Sequence, residues 1–183
     1  MGRDKALLRL NSGGLHPEAL AQDTSTSQTS TLLDLMVDKL LALTILNEVV
    51  VCRNEPGFLQ DIRPELGPVG ALYTLSQHYP NSQALILPVD MPLLSAGILE
   101  QLLRQAETSD VALYFEGHHF PLMLRFTETV NQQLEHRLDN PDSDLSIARL
   151  LKDLDARKII GSRDQLLFTN INTPAEWSAL KQE

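Results

Sequence analysis

The sequence lacks several features that would assign it to a class at once. Its one cysteine, Cys52, cannot form a disulfide within the chain. Such usage is typical of a reducing cytoplasm, and we expect a cytoplasmic protein. No apolar run is long enough to span a membrane. Cysteine and histidine do not recur at the spacing of a zinc site, and the Gly-x-Ser-x-Gly motif of hydrolase nucleophiles is missing. These absences argue against a disulfide-stapled secreted protein, a zinc protein and a serine hydrolase.

Positive charge is also scarce. The chain has 15 lysines and arginines against 24 aspartates and glutamates, which gives a formal net charge of -9. A nucleic-acid backbone or an anionic membrane needs a basic face, so neither is expected as a partner. An acidic protein can still bind an anionic nucleotide if a lysine, backbone amides or a divalent metal neutralise the phosphates locally.

The length and composition indicate one globular domain. With 183 residues and 43% hydrophobic content, the chain can bury one substantial core, and we predict a single domain over residues 1–183. Residues 11–30 differ from the rest, because a turn-rich stretch is followed by the polar, low-complexity stretch 24–30. We interpret this segment as a mobile surface insertion.

Hydrophobic periodicity predicts strands that alternate with helices. Strands are expected at 48–52, 84–87, 110–115, 119–124, 158–160 and 166–169, and helices at 32–41, 69–78, 94–106, 127–138, 144–154 and from Pro174. This order indicates an α/β protein with the three-layer α/β/α architecture of Rossmann-like folds and a mostly parallel sheet. Ligands of such sheets bind beyond the carboxyl ends of the strands, which draws attention to Asn54, Asp90 and Asn170.

Asp90 is the first candidate for chemistry. It follows a strand directly and is flanked by Pro88 and Pro92. A rigidly held carboxylate at the end of a strand suits a Mg²⁺ ligand next to substrate phosphates. An aspartate that caps a turn or the following helix would explain the same pattern equally well.

A second candidate region covers residues 61–70. Gly67 and Gly70 bracket the expected start of a helix, where backbone N–H groups can bind a ligand, and Asp61 could accept hydrogen bonds from a base or a ribose. The alternative is an ordinary Gly-Pro turn that enters a helix.

Two further candidates lie near the ends of the chain. Asn170 and Asn172 are two positions apart on an expected strand end, so they would point to the same side and could orient a phosphate or a metal-bound water. Asn172 or Thr173 could instead cap the last helix. Lys5 alone would be read as a surface lysine, but within residues 2–8 it could neutralise phosphate charge.

Four blocks of the sequence, in this order, resemble the molybdenum cofactor guanylyltransferase family. They are Arg3-x-Lys5-Ala6-Leu7-Leu8, residues 61–70, Leu87-Pro88-Val89-Asp90-Met91-Pro92 and Phe168-Thr169-Asn170-Ile171-Asn172-Thr173-Pro174. The resemblance implies a nucleotidyltransferase that uses GTP and molybdopterin as substrates and requires Mg²⁺.

The resemblance also implies roles for individual residues. Lys5 would hold phosphates and Asp90 would bind Mg²⁺. Asn54 and Asp61 match positions that contact the guanine nucleotide. Gly67 and Gly70 belong to the second block, and Asn170 and Asn172 match a late asparagine pair near the site.

The chain departs from the family pattern at its start, where the first strand and a glycine-rich phosphate loop are missing. That strand normally lies inside the sheet, so its loss would leave two neighbouring strands without partners, and each unmet buried group costs about 1–3 kcal/mol. We therefore expect the natural protein to start about 20 residues upstream. Two other functions stay open: a sibling cytidylyl- or other nucleotidyltransferase, and a non-catalytic remnant that binds a protein of the cofactor pathway.

Overall fold

The computed structural model describes the backbone of residues 5–10, together with residues 31–173 and residue 176. The expected insertion at 11–30, the side chain of Lys5 and most of the last helix lie outside the described residues. The strands are β1 (Lys5–Leu10), β2 (Glu48–Cys52), β3 (Gln83–Pro88), β4 (Ala112–Phe115), β5 (Leu122–Arg125) and β6 (Arg157–Ile159). The helices are α1 (Leu32–Leu41), α2 (Gly67–His78), α3 (Ala96–Gln105), α4 (Glu128–Asp139) and α5 (Ile147–Asp153), followed by a 3₁₀ turn at Gln165–Phe168.

The six strands form one sheet in the order β2-β1-β3-β5-β4-β6. The expectation of a mostly parallel sheet needs correction, because the sheet is mixed and only the pairing of β4 with β6 is parallel. Two strands cause the difference. β1 runs opposite to both of its neighbours, and β5 returns from β4 through a short turn, as hairpin strands do. The other four strands run in one direction, so their carboxyl ends share an edge.

β1 supplies the partners that were expected to be lacking. Its six residues pair with β2 on one side and with β3 on the other, in registers that place Lys5 opposite both Cys52 and Pro88. The sheet therefore has no gap between β2 and β3. The predicted loss of hydrogen bonds at this position is wrong for this structure, because an antiparallel strand satisfies backbone groups as well as a parallel one.

Side chains that alternate along the strands build two separate cores. In β3, Ala84 and Ile86 belong to one buried cluster, and Leu85 and Leu87 belong to the other. The first cluster is completed by α2, α4 and α5, and the second by α1 and α3. A sheet with helices on both faces is the three-layer architecture that the sequence predicted, and it is confirmed.

Local signals define most of the helix starts. α1 begins at a capping box, in which the Thr31 hydroxyl accepts from the Asp34 amide and the Asp34 carboxylate accepts from the Thr31 amide. The strand expected at 166–169 is wrong. Asp164 accepts a hydrogen bond from the Leu166 amide and starts the 3₁₀ turn instead. Among the residues that the structure describes, no helix is both long and apolar enough to cross a membrane.

Candidate functional site

The candidate residues meet where the four co-directional strands end. Asp90 lies two residues beyond β3, and Asn54 lies two residues beyond β2. The backbone of Lys5 sits between these two strand ends, because β1 separates β2 from β3 and begins at Lys5. Neighbouring strands are only about 4.8 Å apart. The antiparallel β1 therefore brings Lys5 to the same edge as Asn54 and Asp90.

Asn54 and Asp61 form a reciprocal pair. The Asn54 Nδ2 donates to Asp61 Oδ2 at 3.0 Å, and the Asp61 amide donates to Asn54 Oδ1 at 2.7 Å. Two bonds between the same residues fix the direction of both side chains. The pair leaves the second carboxylate oxygen of Asp61 as an acceptor at a partly exposed position. This arrangement suits recognition of a ligand that presents N–H donors.

The segment that carries Asp61 is fastened to α2. The Ile62 amide donates to the hydroxyl of Thr74, a fully buried residue, at 2.9 Å. A Cβ atom at Gly70 would lie 3.1 Å from the Arg63 carbonyl oxygen, so the missing side chain at Gly70 lets the segment pack closely on the helix. The Gly70 amide donates to the Leu66 carbonyl at 3.4 Å and is thus engaged within the helix.

Gly67 has a different role from Gly70. It begins α2 with φ of +60°, a conformation that side chains of L-amino acids rarely adopt, and nothing lies within 4 Å of a Cβ built there. The glycine is therefore required by the backbone of the turn and not by a close contact. The open space in front of it keeps the start of α2 accessible.

Asp90 is tied directly to the late asparagine segment. The Ile171 amide donates to the Asp90 carbonyl at 2.6 Å. Ile171 is 8% exposed, whereas Asn170 and Asn172 on either side of it are exposed. The segment is irregular and not a strand end, contrary to our expectation, and its two asparagines are exposed on either side of the buried isoleucine. The structure thus places the backbone of the asparagine segment next to Asp90.

The helix-cap interpretation of this segment is also confirmed, for Thr173. The Thr173 hydroxyl accepts from the Glu176 amide at 3.2 Å, and the Glu176 carboxylate accepts from the amides of Thr173 and Asn172 at 3.0 and 2.8 Å. These backbone hydrogen bonds lower the pKa of Glu176. The backbone amide of Asn172 is thus used by the cap and is not a donor for a ligand.

The turn that precedes Asn170 is held by aromatic packing. Phe168 contacts Phe115 edge-to-face with ring centroids 5.5 Å apart, and the His118 ring stacks on Phe168 at 4.0 Å. His118 Nε2 also makes a 2.9 Å hydrogen bond with Gln165 Oε1. The end of β4 therefore fixes the direction in which the chain approaches Asp90.

Sequence reasoning missed two cations that support the site. The Lys39 Nζ on α1 donates to the carbonyls of Pro92 and Leu94, at 3.1 Å for the latter, and burial lowers the pKa of Lys39. A lysine three positions after the buried Met36, inside an apolar helix stripe, was a signal that could have revealed it.

Arg63 is the second missed cation, and the sequence holds no signal for it. Its guanidinium bonds Asp139 at the end of α4 at 2.6 Å and lies 5.1 Å from the centre of the Tyr73 ring. The hydrogen bond that Arg63 donates to the Asp139 carboxylate raises the pKa of Arg63. Arg63 thereby links the segment of Asp61 to the helix layer.

The donor set at this edge fits Mg²⁺. Asp90 is partly exposed, and its Oδ1 atom is buried. Mg²⁺ is usually bound by one or two carboxylates, with waters and substrate phosphates completing the coordination. The described residues contain no group of three or more His, Cys, Asp or Glu side chains placed to hold a metal. One carboxylate, that of Asp90, is compatible with a Mg²⁺ ion whose other ligands are waters and nucleotide phosphates.

Comparisons with known proteins agree on one family. Residues 1–158 match the family model described as the MobA-like NTP transferase domain. A molybdenum cofactor guanylyltransferase of Xanthomonas euvesicatoria pv. vesicatoria (strain 85-10) is 34% identical over 139 residues, which cover 74% of this chain and 72% of that protein.

The fold has a counterpart among solved structures. The crystal structure of a putative protein from Aquifex aeolicus VF5 superposes with a TM-score of 0.53 at 20% identity. The match covers 63% of this chain and 62% of the Aquifex chain, slightly less than two thirds of the latter. At this identity the likeness concerns the fold alone.

Proposed function

Because the chain belongs to the MobA-like NTP transferase family and is a nucleotidyltransferase, we propose that it transfers GMP from GTP to molybdenum-molybdopterin and releases pyrophosphate. The observation that carries the proposal is the shared edge at which the Asn54–Asp61 pair, the backbone of Lys5, Asp90 and the asparagine segment converge. The Xanthomonas relative, a molybdenum cofactor guanylyltransferase, supports the same reaction.

The Asn54–Asp61 pair is the proposed base-recognition element. Guanine presents an N–H and an amino group side by side, and a carboxylate accepts from both. Asn54 holds the Asp61 carboxylate in place before the ligand arrives, so little ordering is needed on binding. Cytosine carries one amino group next to an acceptor nitrogen and would satisfy this carboxylate less well. This difference favours GTP over CTP.

The transfer itself requires alignment of two phosphates. An oxygen of the terminal phosphate of the pterin attacks the α-phosphorus of GTP, the bond from that phosphorus to the bridging oxygen breaks, and pyrophosphate leaves with the electron pair. Phosphoryl chemistry of this kind depends on positioning and charge neutralisation more than on acid–base groups. Mg²⁺, when bound, supplies neutralising positive charge at the phosphates.

The residues of this chain then have separate tasks. Asp90 would hold the metal ion beside the phosphates, and Lys5 would add positive charge at the same edge. The exposed Asn170 and Asn172 side chains would orient phosphate oxygens or water around the Asp90 site. Gly67, with open space before the start of α2, would let a nucleotide approach the backbone closely.

The test is a pyrophosphate-release assay with molybdenum-molybdopterin and each of GTP, CTP, ATP and UTP. We expect turnover with GTP, and a kcat lowered on the order of 100-fold in Asp90→Asn, the usual loss when one group that stabilises transition-state charge is removed. Asp142→Asn, at an exposed position outside this edge, is the matched control and should keep the wild-type rate. Preference for CTP would establish the sibling cytidylyltransferase, and nucleotide binding without turnover would refute catalysis by this chain.

A further inference from the structure

Lys39 is a partly buried cation whose ammonium group contacts the loop after Asp90. It lies on α1, next to the buried Leu40, and its Nζ donates to the carbonyls of Pro92 and Leu94. Pro92 is buried and Leu94 is fully buried, so these carbonyl oxygens have limited access to water. The lysine therefore links α1, which carries none of the candidate ligand residues, to the backbone of the 90–94 loop that follows β3.

The 90–94 loop is also restrained by packing, since Met91 and Leu94 are buried in the second cluster. It has already left the sheet, since β3 ends at Pro88. The Asp90 carbonyl accepts a hydrogen bond from the Ile171 amide at 2.6 Å. The Leu94 amide donates to the Met91 carbonyl at 3.2 Å and closes a turn. Lys39 binds the carbonyls at the other end of the loop, so the backbone that carries Asp90 is held by hydrogen bonds at both ends.

We propose that Lys39 is a positioning residue for the Asp90 carboxylate, so that binding of a divalent cation with nucleotide depends on a side chain that contacts neither. The inference rests on the proposed function, in which Asp90 holds the metal. Outer-shell groups that orient a ligand commonly change metal affinity without touching the ion. Lys39 acts one step further away, through the backbone that sets the direction of the Asp90 side chain.

The test is Mn²⁺ binding to the full chain in the presence of α,β-methylene GTP, measured by the loss of the free Mn²⁺ signal in electron paramagnetic resonance. In Lys39→Met, which keeps an apolar side chain of similar length and removes the ammonium group, we expect the Kd for Mn²⁺ to rise about 10-fold, the low end of the range for outer-shell groups. Lys152→Met is the matched control, because Lys152 is exposed in the last turn of α5 and should bind Mn²⁺ like the wild type.

A second control separates positioning from general stability. Thr31→Ala removes the capping box of the same helix and leaves the lysine in place. It should lower the urea midpoint without changing the Kd for Mn²⁺. Lys39→Gln retains a neutral donor and serves if the methionine variant does not fold; its Kd should lie between those of the wild type and Lys39→Met.

The outcomes distinguish the two proposals. If the wild type binds Mn²⁺ with the analogue and the folded Lys39 variants bind it equally well, the positioning role is refuted and the proposed function stands. If Thr31→Ala weakens Mn²⁺ binding as much as Lys39→Met does, Lys39 has only a structural role. If the wild type itself does not bind Mn²⁺ with the analogue, the proposed function and the role of Lys39 both fail.

Discussion

Replacing Gly70 by alanine tests whether the segment of Asp61 depends on close packing against α2. A Cβ at Gly70 would lie 3.1 Å from the Arg63 carbonyl oxygen and 3.1 Å from the Leu66 Cβ, whereas ordinary contacts lie at 3.4–4 Å. The segment must therefore move away by a few tenths of an ångström. Overpacking of this kind costs about 1–3 kcal/mol, against a gain of about 1 kcal/mol for alanine over glycine in a helix. The expected result is a net loss of about 0–2 kcal/mol in the free energy of unfolding.

Gly97 provides a matched control within the same protein. It lies in the first turn of α3, and a Cβ there would meet only the Ser95 Oγ at 3.9 Å. Gly97→Ala should therefore stabilise the protein by about 0.5–1 kcal/mol, because only the entropy of the unfolded chain and helix propensity change. The unfolding free energies of the two variants should therefore differ by about 0.5–3 kcal/mol, with Gly97→Ala the more stable.

The assays are urea unfolding followed by circular dichroism and the KM for GTP. Because Arg63 is two residues from Asp61, displacement of the Arg63 backbone should also raise the KM for GTP in Gly70→Ala and leave it unchanged in Gly97→Ala. If Gly70→Ala stabilises the protein as much as Gly97→Ala, the close approach of the segment to α2 does not exist and the argument for a packed base-recognition segment is wrong.

Two further predictions concern ion pairs at the ends of the helix and strand layers. Asp110 accepts two hydrogen bonds from Arg157, at 2.8 and 2.6 Å, and these hold the pKa of Asp110 below its usual value of 3.8. The ion pair therefore stabilises the folded protein fully above pH 3.8, and this stabilisation is lost as the pH falls through the lower pKa of the folded state. At pH 7 the urea midpoint of Asp110→Asn should be lower than that of Asp142→Asn, and the difference between the two midpoints should shrink below pH 3.8. A difference that does not change with pH would contradict a stabilising role for the Asp110–Arg157 ion pair. Arg63→Met breaks the bond to Asp139 and should raise the KM for GTP with little change in kcat or unfolding, since both side chains are partly exposed; a lower kcat at unchanged KM would contradict a positioning role.

The site could be predicted from the sequence only in part. Asn54, Asp61, Asp90, Asn170 and Asn172 were singled out because each follows a recognisable element or belongs to a conspicuous motif, and the structure brings their segments to one edge. Their chemical roles stay predictions, as does that of Lys5. Lys39 and Arg63 were missed because their partners lie 53 and 76 residues away.

The sequence by itself determined the features that depend on neighbours a few residues apart. The Thr31 capping box, the alternation of Ala84 to Leu87 between two cores, and the position of Asp90 beyond a buried strand all follow from helical or strand periodicity. Only the tertiary structure decided the direction of β1, which together with the hairpin strand β5 makes the sheet mixed. A six-residue strand can pair in either direction, and its backbone groups are satisfied equally well in both. The direction of β1 depends on which strand edges the rest of the fold leaves for it to pair with, and a local sequence pattern carries no information about those edges.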